Sequence, residues 1–209
     1  MELPFADEAD ALIWAGLGGE ACGEALDDVL RGVVSPSGRL AESWPIRYAD
    51  APCSGFWGKL HRDGQYREGL YVGYRYYESA GVPVRFCFGH GLSYVTFEYA
   101  QLSVKAGGAS VSLRVANSGP CDGAEVVQAY VEPPVGGPYR PRRILAGFER
   151  IFLVAGESQE VRISLDSRAF QVWDGSWKQV AGDYVIAVGA SVQDIRLRTS
   201  VHLGGEALS

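Results

Sequence analysis

From residue 95 onward the chain alternates apolar and polar residues in short runs, and this alternation constrains the fold more than any other feature. In the run 111–115, Val, Leu and Val alternate with Ser and Arg. A period of two is typical of a strand with one face in a core and the other in water. Further extended runs lie at 127–131, 144–153, 161–165, 184–188 and 195–201.

Turn sequences separate these runs, as at residues 117–120 (NSGP) and 155–157 (AGE). Six or seven short strands with regular turns predict an antiparallel β-sandwich of immunoglobulin or fibronectin III type, over residues 97–209. The Cys…Trp…Cys pattern of antibody domains is absent from this sequence. The chain is therefore expected to be mainly β.

Residues 1–45 have a different pattern, which predicts a short α/β remnant. The apolar run Ala11–Ala15 predicts a short buried strand. Residues 20–30 have apolar side chains at helical spacing, with acidic residues in the first turns and Gly32 after the end, so they predict a helix. One strand and one helix cannot bury a core alone, so we expect this segment to be the end of a domain whose larger part lies upstream.

Residues 46–96 are rich in aromatic side chains interleaved with Gly, Arg and Asp, and they show no sustained helical or strand period. We call them the connecting segment. A connection of this length without its own structure is uncommon and is often functional or packed between domains. The aromatic content favours packing.

Composition and charge exclude several classes of protein. The net charge is −6 and no Lys/Arg cluster is present, so we expect no nucleic-acid partner. No apolar run is long enough to span a bilayer, so we expect no membrane insertion. The first residues lack the basic and apolar regions of a secretory leader, which favours a cytoplasmic location without fixing it.

The four cysteines, Cys22, Cys53, Cys87 and Cys121, lie far apart and form no CxxC motif. This spacing does not favour a zinc site, and we expect no metal. The four cysteines could form two disulfides, which can be paired in three ways, or they could be buried free thiols. The second alternative is favoured.

Three stretches carry motifs: residues 18–40 (GGEACGEAL, then SPSGRL), 66–77 (YREGLYVGYRYY) and 86–97 (FCFGHGLSYVTF). In this order they resemble glycoside hydrolase family 3, the β-glucosidase family, and the likeness continues through the predicted sandwich. Ser35, Ala41 and Cys87 depart from the usual Asn, Pro and Pro of the family. These departures affect turns and packing rather than the family assignment.

The resemblance implies an enzyme that hydrolyses β-glucosides by a retaining two-carboxylate mechanism without a cofactor. In the family the nucleophile is an Asp on a TIM barrel and the acid/base is usually a Glu earlier in the α/β-sandwich domain. Both would lie upstream of Met1. The resemblance therefore implies no catalytic residue in this chain, a structural role for it, and upstream catalytic domains as its partners.

Trp57, Tyr66 and Glu68 are candidates for the rim of a sugar site, because they lie in the aromatic-rich connecting segment. For the two aromatic side chains, packing in a core or between domains is the favoured interpretation. Glu68 and Asp63 are a tempting carboxylate pair, but we expect Glu68 to hold the segment in shape by bonding to loop backbone or to Arg75.

His90 lies between two glycines and has no evident catalytic partner, so we expect it to bond the local backbone of a turn.

An alternative function is a carbohydrate-binding or adhesive β-sandwich module. It requires exposed planar aromatic side chains on one sheet face, for which the strand residues Tyr99, Tyr130, Phe148 and Tyr184 are candidates. A homodimer is a further expectation, since the strand predicted at Ala11–Ala15 would expose apolar surface without its upstream neighbours.

Overall fold

The computed structural model describes residues 1–59 and 64–206. Helix α1 spans Cys22–Leu30 and helix α2 spans Tyr74–Ala80. The strands are β1 (Trp44–Pro45), β2 (Val84–Phe86), β3 (Phe97–Val104), β4 (Ser110–Asn117), β5 (Gly123–Glu132), β6 (Ile144–Leu153), β7 (Ser158–Ser164), β8 (Gln171–Trp173), β9 (Trp177–Gln179), β10 (Gly182–Gly189) and β11 (Ile195–Leu203).

Two antiparallel sheets form the predicted β-sandwich. One sheet has the order β11-β10-β5-β6 and the other the order β3-β4-β7. Their facing sides bury alternate residues such as Val111, Leu113 and Val115 of β4 and Val127 and Ala129 of β5. The period-two pattern of the sequence thus places these side chains in one core, and the prediction of a mainly β sandwich is confirmed.

The four-stranded sheet is also covered on its outer face, the face turned away from the other sheet. Tyr130, Ala187 and Val192 pack there with Cys87, in a cluster separate from the sandwich core. Tyr74 of α2 and Phe88 join this cluster, with their rings stacked at a centroid distance of 4.7 Å. Strand β5 is therefore buried on both faces, because residues from the connecting segment cover it.

Buried polar side chains fasten this cover to the sheet. Gln128 on β5 donates to the carbonyl of Ala190 at 2.5 Å and accepts from the Tyr130 hydroxyl at 2.6 Å. Arg39 donates to the Glu125 carboxylate at 2.6 Å, and both side chains are almost fully buried. The segments around Arg39 and Phe88 therefore belong to the same packed unit as the sandwich.

The strand predicted at Ala11–Ala15 is wrong: these residues are irregular and exposed. Trp14 is 62% exposed, and its ring forms a T-shaped pair with Trp44 at 5.2 Å between centroids. A strand needs a neighbour to pair its backbone, and none of the described residues pairs with this run. None of residues 1–34 is buried.

The helix predicted over residues 20–30 is confirmed as α1. Its cap residue Arg31 donates its backbone N–H to the carbonyl of Asp27, and Gly32 follows with φ +73°. A glycine adopts this left-handed conformation without steric cost, so it ends the helix where the sequence indicated.

The connecting segment contains structure that its sequence pattern did not predict. Helix α2 lies between two capping glycines, Gly73 and Gly81. Their φ values are +59° and +67°. Seven residues are too few to establish a helical period, so only the bracketing glycines signalled the helix. Strand β2 pairs with β1, which attaches the end of this segment to residues 44–45.

The four cysteines are free thiols. Cys87 is buried, Cys22 and Cys53 are partly exposed, and Cys121 is exposed. The prediction of buried thiols is therefore right for Cys87 alone. Across the described ranges, no helix has the length and apolar content to cross a membrane.

Candidate functional site

A cleft of about 340 Å³ lies where the connecting segment meets a loop of the sandwich. We call it the cleft. Its lining residues are Pro52, Phe56, Arg67, Glu68, Tyr71, Tyr76, Ser79, Ala80 and Tyr139. All but Tyr139 come from the connecting segment or α2, and Tyr139 comes from the loop between β5 and β6. Four of these nine lining residues are aromatic, and one carboxylate and one guanidinium stand among them.

Glu68 is half-buried and lines this cleft. Its backbone carbonyl accepts a hydrogen bond from the Tyr71 N–H at 2.9 Å, which begins a turn. Of the two partners predicted for its side chain, loop backbone and Arg75, neither is seen bonded to it among the described residues; the Arg75 guanidinium lies 5.9 Å from the centroid of the Tyr74 ring. Within the described residues no side chain donates a hydrogen bond to the Glu68 carboxylate.

Arg67 is held at the side of the cleft by two contacts. Its Nε donates to the Gln65 side chain at 2.5 Å, and its guanidinium lies 5.4 Å from the centroid of the Phe56 ring. A guanidinium near an aromatic ring is attracted by the ring quadrupole, which fixes its orientation. Its remaining N–H groups can therefore donate to a ligand beside Glu68.

The rings of Tyr71 and Tyr139 form one wall of the cleft, with centroids 5.0 Å apart and an angle of 46° between them. Desolvation, together with a hydrogen bond to Tyr139, raises the pKa of Tyr71 to about 12. Tyr71 therefore stays protonated at neutral pH. The pair offers apolar ring surface together with hydroxyl groups, which is the combination that binds a polyhydroxylated ligand.

Trp57 and Tyr66 are not packed within this chain: the side chains are 55% and 86% exposed. Neither is among the residues that line the cleft. Of the two kinds of packing predicted, packing in a core is not seen among the described residues, and packing between domains stays a prediction. Asp63 lies outside the described residues, so the pair that it would form with Glu68 has no structural description.

His90 bonds neighbouring backbone through its main chain, whereas its ring packs against Phe86. Its backbone N–H donates to Cys87 and its carbonyl accepts from Leu40, while its ring stacks on Phe86 at 5.1 Å. Burial, together with the positive charge of Arg39, lowers the pKa of His90. The neutral imidazole thus serves packing in the turn.

The four strand aromatics considered for an exposed binding face do not form one. Tyr130 and Tyr184 are fully buried, whereas Phe148 is 61% exposed. The Tyr99 side chain is enclosed enough that its hydroxyl oxygen is inaccessible to solvent. The alternative of a binding module is therefore not supported by these residues.

Two family models match the chain. The model of the glycosyl hydrolase family 3 C-terminal domain matches residues 1–94, and that of the fibronectin type III-like domain matches residues 125–192. The chain therefore belongs to glycoside hydrolase family 3, and its two matched stretches correspond to that family's C-terminal domain and to a fibronectin type III-like domain.

Individual relatives agree with this assignment. The thermostable beta-glucosidase B of Acetivibrio thermocellus is 42% identical over 97% of the chain, and so is an exo-alpha-(1->6)-L-arabinopyranosidase of Bifidobacterium longum. The chain spans 28% of the length of each of these proteins.

Solved structures show the same architecture. A family 3 beta-glucosidase of Bifidobacterium adolescentis has a TM-score of 0.86 at 42% identity, covering 91% of this chain and 30% of its own. A beta-glucosidase of Kluyveromyces marxianus has a TM-score of 0.89 at 36% identity, covering 97% and 25%.

Proposed function

We propose that this chain is the C-terminal part of a retaining glycoside hydrolase that acts on β-glucosides. The observation that carries the proposal is the 42% identity over 97% of the chain with a beta-glucosidase, together with the matching architecture of solved beta-glucosidases. The arabinopyranosidase among the relatives makes the sugar preference a question for substrate assays.

The proposed mechanism uses two carboxylates, one as nucleophile and one as general acid and base, about 5–5.5 Å apart across the scissile bond. Glu68 is the one carboxylate among the described residues that line the cleft. A single carboxylate can bind or orient a sugar but cannot supply both catalytic roles. We therefore assign catalysis to upstream domains and a structural role to this chain.

Within the whole enzyme, Trp57, Tyr66 and Glu68 are proposed to border the sugar site. The exposure of the two aromatic rings supports this proposal, since each has a free face on which a sugar ring or another domain can pack. Glu68, from the same connecting segment, would supply hydrogen-bond acceptors to the sugar.

The isolated chain is expected to have no glycosidase activity. Hydrolysis of p-nitrophenyl β-D-glucoside should stay at the level of the blank, because neither the nucleophile nor the acid/base is present. The longer protein that contains the chain should hydrolyse the same substrate. Turnover by the chain alone that Glu68→Gln abolishes would contradict the proposal.

Self-association of the isolated chain is also expected, with the homodimer as the proposed product. Leu12, Ile13, Trp14 and Leu17 expose large apolar surface near the N-terminus, and Leu17 is fully exposed. Light scattering over a concentration series should show a rising mass, and Leu17→Glu should reduce it. Val135→Glu, at an equally exposed site in the β5–β6 loop, is the matched control. A strictly monomeric mass at high concentration would rule out the dimer.

A further inference from the structure

The loop between β5 and β6, residues 133–143, brings a side chain of the sandwich to the cleft. Tyr139 is 85% exposed, yet its ring lies against Tyr71 and completes the outer wall. The fibronectin type III-like part of the chain therefore supplies a side chain to the cleft in addition to forming the sandwich. It takes part in forming a concave surface.

Both ends of this loop are fixed to the sandwich. Pro134 packs so closely over Gly182 that a Cβ on that glycine would lie 2.6 Å from the proline ring. Arg140 donates to the carbonyl of Ala169 at 2.5 Å and to the Tyr184 hydroxyl at 3.4 Å. Tyr139 is therefore presented at the cleft by an anchored backbone, while its own side chain remains accessible.

The lining of the cleft restricts what it can bind. The cleft is lined by one carboxylate, Glu68, and one guanidinium, Arg67, so its lining carries no net charge that favours an ion. The aromatic side chains disfavour a small ion that needs full hydration. Tyrosine rings suit the C–H face of a pyranose, while Glu68 and Arg67 can accept from and donate to its hydroxyl groups. The volume is at the lower end of the range for ligand pockets, about 300–1,000 Å³, which fits one or two sugar rings.

We propose that the cleft is a saccharide-binding subsite in which Glu68 bonds the sugar hydroxyls and Tyr139, from the sandwich, determines specificity by stacking on the ring. This inference rests on the proposed function for the choice of sugar. It adds that the chain binds a neutral pyranose by itself and that the fibronectin type III-like domain contributes a contact to it.

The test is saturation-transfer NMR on the full 209-residue chain with methyl β-D-glucopyranoside and cellobiose as probes. Binding is expected at millimolar concentrations, with transfer to the ring C–H protons of the sugar. Tyr139→Ala should weaken binding about tenfold through loss of one stacking wall, and Glu68→Gln should weaken it by a similar factor.

Matched variants separate local effects from loss of the fold. Glu98→Gln, on the exposed side of β3, and Phe148→Ala, on β6, should leave binding unchanged. Tyr139 is exposed and Gln is isosteric with Glu, so thermal unfolding of both cleft variants should match that of the parent chain. No binding up to about 50 mM, or binding that both cleft variants retain in full, would overturn the proposal.

The experiment distinguishes failure of the subsite from failure of the proposed hydrolytic function. A longer protein that hydrolyses β-glucosides, together with a chain that binds no sugar, would overturn the subsite and leave the hydrolase intact. Sugar binding that requires Tyr139 and Glu68 in a protein without glucoside hydrolysis would overturn the hydrolase alone.

Discussion

A chain shortened to residues 95–206 is expected to unfold roughly 15 °C or more below the full chain. The truncation removes Cys87, Phe88 and Tyr74, which cover the outer face of the four-stranded sheet. Tyr130 would then lose its burial, and a large side chain gains about 1.5–3 kcal/mol by being buried. Gln128 would keep the Tyr130 hydroxyl and Ala190 carbonyl as partners, but the dry environment around these bonds would be lost.

The matched control is a chain of residues 35–206, which lacks α1 but keeps the cover. Residues 1–34 contain no buried side chain, so this chain should unfold within a few degrees of the full one. Circular dichroism melts of the three chains measure the difference. Equal unfolding temperatures for the chains that begin at 35 and at 95 would show that the cover contributes nothing to stability.

The sandwich itself could be predicted because its signal is local. In β4, Val111, Leu113 and Val115 alternate with polar neighbours, and the structure buries all three in the core. The second burial of β5 could not be predicted in this way. Its cover comes from around Phe88, 40 residues away from Gln128, and alternation within β5 does not indicate a partner so distant.

The cleft was predictable only in part. Glu68, Tyr71 and Tyr76 lie in a motif that the family resemblance singled out. Tyr139 lies in a loop rich in Pro and Gly, where no periodicity indicates what a side chain contacts.

The strand predicted around Ile13 was wrong because the prediction used composition alone. The run has the composition of a buried strand, but burial requires neighbours that the described residues do not provide.

The substitution Arg143→Met is expected to lower the free energy of unfolding by about 3–5 kcal/mol. The Arg143 side chain is 5% exposed and donates to Glu132 at 2.7 and 2.9 Å, to Glu78 at 3.5 Å and to the carbonyl of Val192. Met preserves much of the apolar contact but leaves the poorly exposed Glu78 without this cation. Arg198 still donates to Glu132 at 2.8 Å, which limits the loss there.

A matched variant distinguishes the buried cation from a surface one. Arg162→Met removes an arginine whose side chain is 74% exposed and whose ion pair with Glu160 measures 3.9 Å. Exposed pairs contribute about 0–1 kcal/mol, so this variant should unfold almost as the parent does. Similar losses for the two variants in urea titrations would contradict the role assigned to Arg143.

The pH dependence of the same variant gives a second measurement. Burial tends to raise the pKa of Glu132, but hydrogen bonds and positive charge from Arg198 and Arg143 outweigh it and lower the pKa below its ordinary value. A lowered folded-state pKa stabilises the fold above the unfolded pKa of about 4.3, and this stabilisation is lost as the pH falls through the folded value. Removing Arg143 raises the folded-state pKa, so acid unfolding of Arg143→Met should begin at a higher pH than in the parent chain. Acid unfolding that begins at the same pH in both chains would show that Arg143 does not lower the pKa of Glu132.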